Sequence, residues 1–136
     1  MDFPSLLARA NLSNTVQRRA ILSLLSSSTT PLSHADMALA LRKKKVSIDT
    51  ATIYRIFKQF LEKGIVHRHP STGAYVLCAL PSCTGHHGFL TCSECHSVTE
   101  FADTALCQAE HAVARSFKFK PQKHVTDVVG LCASCQ

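Results

Sequence analysis

No run of about 18 consecutive apolar residues occurs in the chain, which excludes a membrane-spanning helix. The opening MDFPSLLARANLS lacks both the basic start and the long apolar core of a secretory signal, so a cytoplasmic location is expected. No cysteine precedes residue 78; all seven lie from there onward. Acidic residues are scarce, with nine Asp and Glu against fifteen Lys and Arg, and the formal charge is +6. That excess is compatible with a nucleic-acid partner. There is no catalytic constellation, so neither enzymatic activity nor a small-molecule substrate is expected. Low-complexity tracts are absent, and the only internal repeat is a pair of CxxC motifs. In the cytoplasm thiols stay reduced, so seven cysteines and eight histidines point to metal ligation rather than to a disulfide framework.

What is present falls into two halves. The 136 residues suit one average domain or two small ones, and a composition 46% hydrophobic and 18% charged is that of a globular chain. Basic residues cluster at 18–19, 42–45 and 55–58, in the half without cysteines. The spacing predicts a helix capped by Thr15, with Ala20, Ile21, Leu24 and Leu25 on one face. A second opens at the capping-box pair Ser33 and Asp36. A third spans 49–63 between the cap Asp49 and the stop Gly64. Its buried face should carry Ile53, Ile56, Phe57, Phe60 and Leu61, leaving Thr52, Arg55, Lys58 and Gln59 outward and Tyr54 at the flank. IVHRH and AYVLC around the turn PSTG predict a hairpin, completing the outline of a winged helix-turn-helix. After a linker, FLTC and SVTEF predict a second hairpin, followed by a helix from Asp103 to about Phe117 and a strand in HVTDVVGLC.

Cys92-x-x-Cys95 and Cys132-x-x-Cys135 are a strong signal for structural zinc. A tetrahedral Zn2+ takes four thiolates, and each two-residue gap lets one turn supply a pair. Each pair follows a β-prone segment, and adjacent antiparallel strands are expected to bring the two together. In so small a domain the metal should supply much of the folding free energy.

Taken in order, TATIYRIFKQFLEKGIVHR, YVLC, HHGFLTCSEC, TEF and GLCASC resemble the ferric uptake regulator superfamily, most closely its zinc uptake regulator branch. The resemblance runs from about Thr15 to the last residues. It implies an α+β chain: a winged helix-turn-helix DNA-binding domain over 1–79, a hinge over 80–87, and a small α/β dimerisation domain over 88–136 that carries the four-cysteine structural zinc. It implies a homodimeric, metal-dependent repressor of palindromic double-stranded operator DNA, with zinc in structural and regulatory roles. By family position, the regulatory hinge site falls on His67, Cys78, His87 and Glu100. A thiolate beside imidazole and carboxylate favours zinc over ferrous ion.

Adjacent residues on an extended segment face opposite ways, so His86 and His87 should serve different sites. His86 would turn to a second regulatory site with Cys107 and His124. There Cys107 replaces the family's helix glutamate and Gly88 a further ligand, which leaves a Cys-containing site or none. Cys83 either substitutes for His87 or stays outside the sites. His34, His69, His96 and His111 are expected at the surface.

For DNA, the resemblance places Thr52, Tyr54 and Arg55 at the recognition surface, with Lys58 and the 42–45 run on phosphates. Arg18 or Arg19 would add backbone contacts where the usual minor-groove basic residue is replaced by Ser13 or Asn14. The alternatives are an iron, manganese or peroxide sensor of the same family, or a thiol redox switch using the CxxC pairs.

Overall fold

Residues 1–80, 87–122 and 124–136 are described by the computed structural model, in which the chain divides into two units, Met1–Cys78 and Ala79–Gln136. The expected hinge over 80–87 falls mainly on 81–86, so its Cys83 and His86 lie outside the described residues.

In the first unit, α1 (Phe3–Arg9) starts where the Asp2 carboxylate accepts the Ser5 backbone N–H and Pro4 presets the first turn. This helix was not among the three expected. Seven residues are too few for a periodic signal, and it is held by burial of Leu7 in the core. Thr15 caps α2 (Val16–Ser27), and the reciprocal Ser33–Asp36 box opens α3 (His34–Lys43). Asp49 caps α4 (Thr50–Glu62), which stops where Gly64 takes φ +67°, a conformation that costs glycine little. As the spacing predicts, Ile53, Ile56, Phe57 and Phe60 are buried, while Leu61 is half-buried. They pack with Ile21, Leu22, Leu25, Met37 and Leu41 in one core.

Beyond α4, β1 (Val66–Arg68) and β2 (Tyr75–Leu77) pair antiparallel with His67 opposite Val76. Leu32 and Tyr75 exchange two backbone hydrogen bonds of 2.9 Å, tying this wing to the segment before α3. The unit is a winged helix-turn-helix.

The second unit holds β3 (Gly88–Cys92), β4 (Val98–Phe101), α5 (Thr104–Ser116) and β5 (Thr126–Gly130), with sheet order β4-β3-β5. The pairing of β5 with β3 is parallel, which corrects the antiparallel expectation. Both CxxC motifs follow the C-terminal ends of their strands, and parallel pairing puts those ends side by side. Antiparallel pairing would have sent them to opposite ends. Among the described residues of this unit, the buried apolar side chains are only Phe89, Cys92 and Cys107. Leu90 and Val128 are register partners, both about half exposed, and Val113 and Phe117 of α5 are 59% and 79% exposed. Nothing among the described residues of the unit covers these last two side chains. Among the described residues, no helix is long and apolar enough to cross a membrane.

Candidate metal centres and nucleic-acid interface

The parallel register sets Cys92 beside Gly130, so the turns after β3 and β5 emerge together. The first turn closes through His96 N–H to the Cys92 carbonyl at 3.0 Å, the second through Cys135 N–H to the Cys132 carbonyl at 2.9 Å. The Sγ atoms of Cys92, Cys95, Cys132 and Cys135 all lie within 4.8 Å of one another, with Cys95 and Cys132 at 3.7 Å. Among the described cysteines none is in a disulfide.

Electrostatics divides the four thiols. Backbone N–H groups of Cys132 and Cys95 pull the Cys92 thiol down to about 6. The crowding sulfurs of Cys132, Cys95 and Cys92 push Cys135 up to about 12. Four thiolates this close repel, and a dication among them removes the conflict. The donor set therefore fits a structural Zn2+, held by four thiolates in the closed tetrahedral manner of such sites.

Two further donor pairs lie within separate units. On the first, a ring nitrogen of His67 in β1 comes within 4.8 Å of Cys78 Sγ, just past β2. The backbone places Cys78 there, its N–H bonding the Ile65 carbonyl at 2.9 Å. On the second, His87 Nδ1 meets Glu100 Oε1 at 2.7 Å, both side chains nearly buried. The other Glu100 oxygen accepts the Ala79 N–H at 2.8 Å.

The second unit also gathers Cys107, His111 and His124, with ligand atoms within 4.8 Å of one another. Cys107 and His124 are two of the three residues expected at a second site; His86 lies outside the described residues. His111, expected at the surface, is half-buried, and its ring meets His124 edge-on at 5.2 Å. Its i, i+4 spacing from Cys107 on a helix was the signal available.

Two other surface expectations also change. His69 is fully buried in the wing turn, its Nδ1 3.0 Å from the Thr72 hydroxyl. His34 is half-buried and stacks on Tyr54 at 3.7 Å with an interplanar angle of 10°. Its edge meets Phe57 and Tyr75, so the first turn of α3 braces a residue of α4. His96 is exposed, as expected.

On α4, Tyr54, Arg55 and Lys58 are exposed, and Thr52 is half-buried with its N–H on Asp49 Oδ1 at 2.6 Å. The Arg18 guanidinium is committed to Gln59 Oε1 and the Ser13 carbonyl, each at 2.7 Å, and so braces α2 against α4. Arg19 bonds Asn14 Oδ1 at 2.7 Å.

A winged helix joined to a unit with a four-cysteine metal centre defines a metal-binding regulator. The ferric uptake regulator family model matches residues 9–128. The ferric uptake regulation protein of Legionella pneumophila is 33% identical across the whole of both chains. The zinc uptake regulation protein of Escherichia coli K12 is 32% identical over 94% of this chain and 75% of its own length. Among solved structures, a zinc uptake regulator complexed with zinc and DNA matches at TM-score 0.83 and 31% identity, covering 96% of this chain and 88% of that one. Holo XcZur matches at 0.82 and 30%, over 98% and 96%. The Vibrio cholerae ferric uptake regulator matches at 0.63 and 30%, over 96% and 100%. The chain belongs to the ferric uptake regulator family and lies near its zinc-type members. It is a metal-responsive transcriptional regulator.

Proposed function

We propose that this chain is a cytoplasmic, zinc-responsive transcriptional repressor that binds palindromic operator DNA as a homodimer. The observation that carries the metal assignment is the soft donor at Cys78, within 4.8 Å of the His67 ring on the winged-helix unit. The His87–Glu100 pair on the other unit completes a proposed set of one thiolate, two imidazoles and one carboxylate. Such a set favours Zn2+ over ferrous or manganous ion. The likeness to the two zinc-type structures supports the same choice.

The bound ion would act as a four-coordinate cross-link. His67 and Cys78 fix the wing end of that link, since β1–β2 pairing and the Cys78 N–H set their backbone positions. His87 and Glu100, whose Nδ1 and Oε1 lie 2.7 Å apart, supply the imidazole and carboxylate at the other end. Drawing these four side chains together favours the separation of two recognition helices that matches successive major grooves. Arg55 then reads a guanine edge or phosphate, Tyr54 packs on a thymine methyl, and Thr52, Lys58 and Arg19 hold the backbone. Arg18 keeps α4 at its angle through Gln59. The exposed Leu90, Val128, Val113 and Phe117 suit the interface between two copies.

The test is Cys78→Ser. The variant should keep one tightly held zinc per chain and lose zinc-dependent operator binding in gel shifts. Unchanged binding overturns the assignment. Parallel anaerobic shifts with Fe2+ and Mn2+ separate this reading from the iron and manganese alternatives.

A further inference from the structure

We propose that His34 is a positioning residue for base readout: anchored by the wing, it holds the Tyr54 ring in one orientation on the face of α4 offered to DNA. The inference rests on the operator-binding role proposed above. Tyr54 is 53% exposed, and an exposed tyrosine ring ordinarily samples several rotamers. Here the His34 imidazole lies flat against it, with centroids 3.7 Å apart and planes 10° from parallel. That separation is van der Waals contact across a ring face. The Tyr54 ring therefore reaches DNA already ordered, and less side-chain freedom is lost on binding.

The imidazole is itself held from two sides. Phe57, one turn after Tyr54 on α4, is fully buried and meets His34 at 5.2 Å with an interplanar angle of 80°. Tyr75 of β2 meets it at 5.0 Å and 80°, and stacks in turn on Phe57 at 4.1 Å. Polar contacts continue the chain. The Arg68 guanidinium on β1 donates to the Tyr75 hydroxyl oxygen at 2.9 Å. A guanidinium accepts nothing, so the Tyr75 O–H turns its own proton elsewhere, and His34 Nε2 stands 3.4 Å away. This assigns the neutral tautomer with its proton on Nδ1. Burial first, then the Arg68 charge, holds the imidazole below its ordinary value and favours the same neutral form.

Backbone geometry fixes the same arrangement. Arg68 and Tyr75 are register partners across the wing hairpin. Tyr75 also exchanges two backbone hydrogen bonds with Leu32, two residues before His34. The wing thus sets both where α3 begins and where its first side chain lies. His34 passes that position to Tyr54, so hairpin and recognition helix present one shaped surface. A ring held this way discriminates by shape, and the thymine methyl is the base feature an aromatic side chain packs on.

The experiment uses the full-length zinc-loaded chain and a duplex that this chain selects from a random pool, its thymines replaced singly by uracil to remove the methyl. The contacted thymine is the one whose uracil penalty Tyr54→Ala abolishes. The unsubstituted chain should lose about fourfold in affinity there, the worth of one buried methyl. In His34→Ala that penalty should fall below about twofold, and His34→Phe should restore it. Tyr75→Phe should lower the penalty in the unsubstituted background and leave it alone in His34→Phe, which has no ring nitrogen to anchor. A general loss of folding would weaken binding to both duplexes alike and leave their ratio unchanged. An unchanged penalty in folded His34→Ala overturns the proposal while the Tyr54 readout stands. No change on Tyr75→Phe overturns the wing's part in it. Absence of any such thymine in the unsubstituted chain overturns the readout, and the proposal with it. If His34→Ala fails to fold, His34→Leu, which keeps apolar bulk against Phe57 and Tyr75 without a flat face, carries the same comparison.

Discussion

Substituting one zinc-coordinating cysteine should unfold half of this molecule and spare the other half. The apolar side chains buried in the second unit, among the described residues, are Phe89, Cys92 and Cys107. Full burial of a large side chain contributes about 1.5–3 kcal/mol. Domains of roughly 60 residues are already marginal with ordinary cores, and Ala79–Gln136 is no longer than that. Structural zinc supplies an apparent 10–16 kcal/mol or so in small zinc-finger peptides, so the metal outweighs this core. Cys132→Ser removes one of the four thiolates while keeping the backbone N–H that bonds Cys92 Sγ at 3.4 Å, so it tests the metal ligand itself. The first unit has its own core, from Leu7 to Tyr75, and needs no metal for it.

Hydrogen exchange read by mass spectrometry separates the two. Amides of β3 and β5 should exchange about 100-fold faster or more, equivalent to a loss of about 3 kcal/mol or more. Those of α2 and α4 should change by less than about threefold. If zinc is lost while β3 and β5 stay protected to within about tenfold, the metal does not hold this unit together.

Two further expectations concern packing. A Cβ at Gly88 would sit 2.3 Å from Phe101 Cζ, so Gly88→Ala must displace a ring beside Glu100. It should cost about 1–3 kcal/mol by overpacking, seen as a lower melting temperature of the second unit. At His34, burial first, then the nearby Arg68 charge, pulls the imidazole below its ordinary value. The unfolded chain therefore binds this proton more readily, and stability of the first unit should fall as pH drops below about 6.5. His34→Phe should flatten that slope and keep the stack on Tyr54. His34→Ala should free the tyrosine and weaken specific operator binding about fivefold, from a stacking contribution near 1 kcal/mol. Equal specific binding by the Ala variant would show that Tyr54 does not need its brace.

Much of this molecule is written in short-range pattern. The caps at Thr15, Ser33 and Asp49 each fall where a side-chain oxygen is needed by an open helix end. The face of α4 follows from the spacing of Ile53, Ile56, Phe57 and Phe60, because a 3.6-residue period admits one buried stripe. The two CxxC turns announce their metal because a knuckle is a local object.

Where distant segments meet, pattern alone runs out. Strand direction is invisible in a run of β-prone residues, so parallel β3–β5 pairing emerged only with α5 crossing between them. Nothing in the local sequence around His34, His69 and His111 tells their environments apart. The fold buries one in the wing, stacks another on Tyr54 and sets the third beside Cys107 and His124. A side chain's neighbours within one helix turn are set by its spacing; those that arrive from another element are set by how the elements pack.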